Sequence, residues 1–254
     1  GLHMMQEEMK DGIRRFFDEA LEKVGAFRKK TYEEAFHNLY HTYEELLGSL
    51  LLYCDEPADE SGWNDIVSVI PDYAQEKLNE ISKREQKKTA MDMNLIMAVY
   101  VIPMITYTRS QTGDRLAEAI INLWNERNVT GLTLSKSSYD KIAQGFHKGL
   151  CYITTAVCID QNKPDDCPEL TELRRYRDDY LMQSEDGRAL VEAYYDVAPA
   201  IVCAIDMQKD ASDIYQNLYH DYLVPCVTLA KNRKNEACRM LYQNMVQQLE
   251  REYL

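Results

Sequence analysis

The chain is poor in glycine, proline and positive charge, and each shortage removes a class of structure or partner. Ten glycines and seven prolines in 254 residues stand where helices should begin, bend or end. No run of alternating apolar and polar residues lasts long enough to signal a strand. The reading is all-α: a compact bundle of about nine to ten helices, several kinked by proline, packed by ordinary ridge-and-groove contacts. Lysine and arginine number 29 against 42 aspartates and glutamates, a formal charge of -13. Phosphate neutralisation therefore lacks a basic field, and nucleic acid is not an expected partner.

Long hydrophobic runs are missing too. The longest apolar stretch, residues 94–107, contains Pro103 and is too short to span a bilayer, so it reads as a buried core helix and no membrane partner is expected. Residues 4–15 are charged rather than apolar and Gly1-Leu2-His3 reads as a cloning remnant, so no signal peptide is expected at the start. There is no Cys-x-x-Cys, no Gly-rich phosphate loop after a strand and no local Ser-His-Asp signature, which removes the common enzyme classes but not an enzyme built from scattered helical residues. Seven cysteines, an odd number spread along the chain, read as free thiols of a cytoplasmic protein rather than a disulfide framework.

What is present is helix punctuation. An amphipathic helix is expected over 4–29, and Thr31 with Glu34 makes a capping box for a second helix ending near Tyr53. Residues 55–62 form a polar loop. Pro71 suits the first turn of a helix to about Lys87, Thr89 opens the apolar helix kinked at Pro103, and Thr112 caps a helix to Arg127. Residues 128–134 mark a boundary between an N-terminal half (4–134) and a C-terminal half (135–254), which together read as one continuous globular unit. Ser135 then caps a helix to about Asp160, and later helices begin at Pro168, at Arg188 with a kink at Pro199, near Ser212, and at Asn235.

Two clusters carry chemistry. On the helix ending at Asp160, His147, Cys151, Thr154, Thr155 and Cys158 share an arc of roughly 100°. Cys151 with His147 is the candidate for a nucleophile and its base, or for a pair of metal ligands, with Thr154 and Thr155 as hydrogen-bonding support. Cys158 lies about 10 Å further along the axis, too far to share one zinc or to bridge to Cys151, whereas a Cys158–Cys167 approach across the following turn stays open. The plainer alternative is that the thiols are small buried hydrophobes and the threonines bond back to their own helix. No cofactor is expected. His37 and His41, with Glu34 one turn before, are a weaker metal candidate, since no second Glu-x-x-His exists to complete a diiron bundle.

In the next helix Leu170, Leu173, Tyr180 and Leu181 define an apolar face that also includes Arg174 and Arg177, while Arg175, Glu172 and Asp179 point outward. A guanidinium on an inner face needs a partner, and Asp178, Glu192 and Asp196 are available. The arrangement is either an ion-pair staple or an anion-binding pocket with Tyr195 joining through its hydroxyl. Arg188 and Glu192 read as an ordinary i,i+4 pair.

Cys151-Tyr-Ile-Thr-Thr-Ala, Leu173-Arg-Arg-Tyr-Arg-Asp178, Gly187-Arg-Ala-Leu-Val191 and Tyr194-Tyr195 followed by Pro199 resemble, in the same order, the CFI-box proteins of bacteria. That family is named for a Cys-Phe-Ile-Ala-Thr-Ala start followed by a Leu-Arg-x-Phe-Arg-Asp segment and a Gly-Arg helix. The likeness covers about residues 151–205. Tyr152 replaces Phe, Thr154 replaces Ala and Val157-Cys158 departs from the box, a pattern similar to a subgroup from gut Firmicutes. The resemblance implies a bacterial, intracellular protein and supplies no mechanism.

Together these readings lead to a cytoplasmic helical binding protein whose partner is another protein or a small anionic ligand near Arg174 and Arg177. A cysteine-dependent enzyme or metal protein centred on Cys151 is the alternative, and self-association is a further option.

Overall fold

The computed structural model describes residues 2–55, 60–147 and 152–254. Among the described residues there is no strand. The first α segments are α1 (Leu2–Glu22), α2 (Tyr32–Asp55), α3 (Glu60–Glu80), α4 (Lys83–Ile96), α5 (Ile102–Tyr107) and α6 (Gln111–Arg127). They are followed by α7 (Tyr139–His147), α8 (Tyr152–Asp160), α9 (Pro168–Asp179), α10 (Glu185–Asp206), α11 (Ala211–Leu218), α12 (Val224–Lys231) and α13 (Asn235–Tyr253). Two π turns, Met97–Val101 and Tyr219–Leu223, join α4 to α5 and α11 to α12, leaving eleven helices among the described residues, close to the nine or ten expected. The chain forms two compact units, one of residues 1–27 with 31–143 and one of residues 28–30 with 144–254.

In the first unit the apolar stripe of α1, with Met9, Ile13, Phe16, Phe17 and Ala20 buried, recurs every three or four residues and packs on α2 and α3. Its central element is the α4–α5 helix, where Met93, Ile96, Met97, Tyr100, Val101, Ile102 and Met104 have no exposed surface. This helix is long and apolar enough to cross a membrane, yet 78% of its apolar window is buried inside the structure. It is a core helix, as its interrupted apolar run suggests.

Pro103 does more than kink that helix. It has no N–H to give Val99 one turn earlier, and through the π register the Ile102 N–H goes to Met97 O, so Ala98 O loses its usual partner as well. Two hydroxyls take over: Tyr32 Oη donates to Val99 O at 2.6 Å, and Ser137 Oγ donates to Ala98 O. Both carbonyls thereby keep a partner.

The segment 128–134, expected as a boundary between halves, is bound into this unit. Asn94 is fully buried; its Oδ1 accepts from Trp124 Nε1 and from Thr130 Oγ1, both at 2.8 Å, and its Nδ2 donates to Thr133 O at 2.9 Å. Asn125 adds a two-way clasp with the Leu134 backbone, at 2.8 and 2.9 Å. Side-chain amides replace the secondary-structure hydrogen bonds that a loop lacks.

Several helix ends differ from expectation. Pro71 lies inside α3, not in a first turn. α4 begins at Lys83 after Ser82, not at Thr89. Ser110, not Thr112, caps α6, its Oγ accepting from the Gly113 N–H at 2.9 Å, because Thr112 Oγ1 is engaged with Asp55 Oδ1 at 2.7 Å. Thr31 precedes α2, but its hydroxyl donates to Ala26 O at 2.7 Å rather than forming a capping box. α1 ends at Glu22 and the chain continues as a short 3₁₀ turn, Val24–Ala26.

In the second unit a tight reversal joins α9 to α10. Ser184 Oγ accepts from the Gly187 N–H at 3.0 Å, and Arg188 Nη1 donates to Met182 O at 3.1 Å. A Cβ on Gly187 would fall 2.7 Å from the carbonyl carbon of Leu181 and closer still to its oxygen. The Gly187-Arg188 pair thus has a physical reason: glycine admits the preceding backbone, and arginine satisfies the carbonyl beside it. Further along, Tyr176 Oη donates to Asn235 O at 2.7 Å and fastens α9 to the start of α13.

Candidate functional site

The helix expected from Ser135 to Asp160 is described as α7 and α8, with residues 148–151 and the side chain of His147 outside the described residues. The catalytic or metal pair Cys151 and His147 therefore falls outside them. α7 starts at Tyr139, with Ser138 rather than Ser135 at its cap: Ser138 Oγ accepts from the Lys141 N–H at 3.3 Å. At the start of α8 the Ile153 N–H donates to Tyr194 Oη at 2.7 Å. The Tyr152 hydroxyl stands 2.8 Å from where a Cβ on Gly145 would lie.

The carbonyls one turn before Thr154 and Thr155, to which the plainer reading would bond them, lie outside the described residues. Among the described residues neither Oγ1 has a hydrogen-bond partner, and Thr154 is buried. Cys158 and Cys167 are adjacent free thiols, both buried, and burial followed by the neighbouring Cys167 pushes Cys158 up to about 12. Cys226 and Cys238 form a second buried pair on α12 and α13, with Cys238 Sγ donating to Cys226 O at 3.4 Å. Hydrogen bonding to Cys238 and burial raise the Cys226 thiol, keeping it neutral. A neutral, enclosed thiol is a poor nucleophile. Among the described residues no group of three His, Cys, Asp or Glu side chains could hold a metal ion. His37 Nε2 lies 3.0 Å from Tyr139 Oη, and His41 is exposed beside Glu44.

The arginine cluster is organised as a staple. Arg174 donates through Nη1 to Asp165 O and through Nη2 to Asp165 Oδ1, both at 2.8 Å, not to Asp178. Asp178 instead receives Arg177 Nε at 2.8 Å, while Arg177 Nη1 donates to Tyr195 Oη at 2.9 Å. Tyr195 therefore joins the cluster as its position suggested. Arg175 and Glu172, expected to point outward, are mostly covered: they pair with each other, and Arg175 Nη2 reaches Ala230 O of α12 at 3.2 Å. The helical wheel presumes one buried face, whereas α9 packs on α12 as well as on α8. Glu192 pairs with Lys30 at 3.3 Å, and Arg188 is occupied at Met182 O, so the expected i,i+4 pair is absent.

Around Arg177 and Tyr195 the second unit forms a dimple from α9, α10 and α13. Tyr176, Tyr194, Tyr195 and Tyr242 wall it together with Leu190 and Val191, and the cavity volume is about 30 Å³. That is room for one or two waters, whereas an enclosed small-molecule site runs to roughly 300–1,000 Å³. Beside it, beyond Leu181, lies a cleft of about 350 Å³ lined by Asp179, Asp186, Glu236 and Arg239. Arg239 is taken by Glu236, Nε to Oε2 at 3.0 Å, and Tyr180 Oη also donates to Glu236, at 2.7 Å. The hydroxyl of Tyr180 and then Arg239 hold the Glu236 carboxyl below its ordinary value. Tyr242, Asp186 and Glu236 were not among the sequence candidates. They come from segments far apart in the chain, and only the folded α9–α10–α13 arrangement brings them to one place.

The turn leading into α9 is held by a charged trio. Lys163 Nζ contacts Glu169 Oε1 and donates to Tyr219 Oη at 2.9 Å, and Tyr219 Oη donates to Glu169 Oε1 at 3.0 Å. The hydrogen bond from Lys163 is the largest cause holding Glu169 down at about 2, against an ordinary 4.5. A depressed carboxylate contributes stability that is fully present above its unfolded value and lost as pH falls through the folded one. Acid unfolding followed by helical circular dichroism between pH 5 and 2 is therefore expected to lose part of its steepness in Glu169→Gln. An unchanged profile would remove this residue from the account.

Comparison with known proteins returns nothing: no family model matches the chain, and neither does any curated protein or solved structure.

Proposed function

We propose that the protein is a cytoplasmic interaction module whose second unit recognises a basic segment of another protein through one apolar side chain seated against its tyrosine dimple. The observation that carries this reading is the size and lining of the tyrosine dimple next to an acidic cleft. A cavity of about 30 Å³ is too small to enclose a metabolite, but a shallow tyrosine and arginine surface suits the anchor residue of a partner. The acidic neighbours select a basic flank, in keeping with a chain of net charge -13. An anion at Arg174 and Arg177 is the weaker reading, since Asp165, Asp178 and Tyr195 already meet those guanidinium groups. Thiol catalysis draws no support from the described cysteines. The bacterial CFI-box resemblance and the reduced, cytoplasmic setting belong to the same proposal; the described cysteines are free thiols, in keeping with that setting.

The test uses a fluorescein-labelled peptide with one phenylalanine between lysine pairs, followed by anisotropy. Saturable binding is expected to weaken at least ~10-fold when phenylalanine becomes serine, since burying an aromatic side chain contributes about 1.5–3 kcal/mol. Val191→Arg, a half-buried position in the dimple, is expected to abolish binding while the helical signal stays. Equal binding by the wild type and Val191→Arg, or indifference to the phenylalanine, would sink the reading.

A further inference from the structure

A wider cavity lies in the first unit, lined by none of the candidate residues named above, although His37 borders its wall at Tyr139. Its volume is about 680 Å³, inside the range of roughly 300–1,000 Å³ typical of small-molecule sites. It opens between the α5–α6 turn, the 132–138 loop and the first turn of α7. Each wall is fixed: Ser137 by its bond to Ala98 O at the π turn, the loop by Asn94 and Asn125, and the α5–α6 turn by Thr108 Oγ1 on Ile105 O at 2.7 Å.

The chemistry of its lining is mixed in a specific way. Tyr107 and Tyr139 are half-buried in the wall, their rings 5.7 Å apart and nearly perpendicular. Behind them Phe36 stacks on Tyr139 at 4.4 Å, so the wall is a supported aromatic surface. Arg109, Lys136 and Lys141 stand at the exposed rim, three cations against Asp114 and Asp140. Arg109 is paired with Asp140 at 3.6 Å. Neither lysine has a carboxylate within ion-pair distance among the described residues. In so acidic a chain, two uncommitted ammonium groups beside an aromatic wall fit an anionic headgroup on a planar ring.

We propose that this cleft binds a nucleoside monophosphate. Its base lies against Tyr107 and Tyr139, its phosphate meets Lys136 and Lys141, and Asp114 accepts hydrogen bonds from the sugar hydroxyls. That assignment uses the acid as well as the cations: a bare phosphate has no role for Asp114, and a neutral aromatic has none for the lysines. The site is independent of the tyrosine dimple, so either proposal can fail without the other.

Calorimetric titration of the full chain with AMP, GMP, CMP and UMP, beside inorganic phosphate and adenosine, decides it. At least one monophosphate is expected to bind saturably below millimolar concentration and at least ~10-fold more tightly than either phosphate or adenosine. Lys136→Ala with Lys141→Ala, both exposed positions, is expected to cost that monophosphate ~10-fold or more, leave adenosine unchanged and leave the melting temperature within about 2 °C. Tyr107→Leu is expected to weaken adenosine and the monophosphate alike. No saturable monophosphate binding, equal affinity for inorganic phosphate, or indifference to loss of the lysines would overturn the assignment.

Discussion

Gly187→Ala is expected to destabilise the second unit by about 3 kcal/mol or more, because the new methyl would occupy space held by backbone rather than by a side chain that can rotate away. The added Cβ meets the carbonyl carbon of Leu181 at 2.7 Å and its Cα at 2.9 Å. Relief requires the 3₁₀ turn Leu181–Gln183 to move, and with it the Ser184 cap of α10 and the bond from Arg188 to Met182 O. In a chain of this size such a loss lowers the melting temperature by roughly 6–12 °C. Gly48→Ala is the control: a Cβ there meets nothing within 4 Å, and its helical position should gain slightly from alanine. Thermal unfolding of the two variants side by side checks the claim, and similar melting temperatures would contradict it.

Asn94→Leu is expected to cost the first unit about 3–5 kcal/mol. Leucine is similar in volume, so packing changes little, but the Trp124 indole N–H, the Thr130 hydroxyl and the Thr133 carbonyl all lose their partner. Trp124 is fully buried and has no water to turn to. Each stranded buried polar group costs about 1–3 kcal/mol. Trp124→Phe made together with Asn94→Leu removes the most enclosed of these groups, and the double variant should lose less than the sum of the two single changes. Strict additivity in denaturant titrations would show that the amide does not act through the indole.

The helical class was legible because glycine and proline are so sparse, and the apolar stripe of α1 could be traced by period alone. Arg177 with Tyr195 was also legible: a charge on an inner face announces a partner, and the next helix offered one. Arg175 misled because a wheel has one buried side, while α9 is covered on two. Pro71 misled because tertiary packing carries α3 through a proline that local rules place at a helix start. Neither proposed surface could be read along the chain. Tyr242 reaches the dimple from α13, and Lys136 lines the same cleft as Tyr107 only because amide and hydroxyl contacts fold a loop back onto the core.

The π turn at Met97–Val101 also bears on the order of folding. Its carbonyls are completed by Tyr32 and Ser137, 67 residues before Val99 and 39 residues after Ala98. The widened register keeps its own Ile102 N–H to Met97 O bond but leaves Ala98 O and Val99 O to partners distant in sequence, so a nascent Lys83–Tyr107 helix is expected to gain its full set of bonds only when both distant segments have arrived. The middle of this apolar helix is thus expected to settle late, when its neighbours arrive, rather than to seed them.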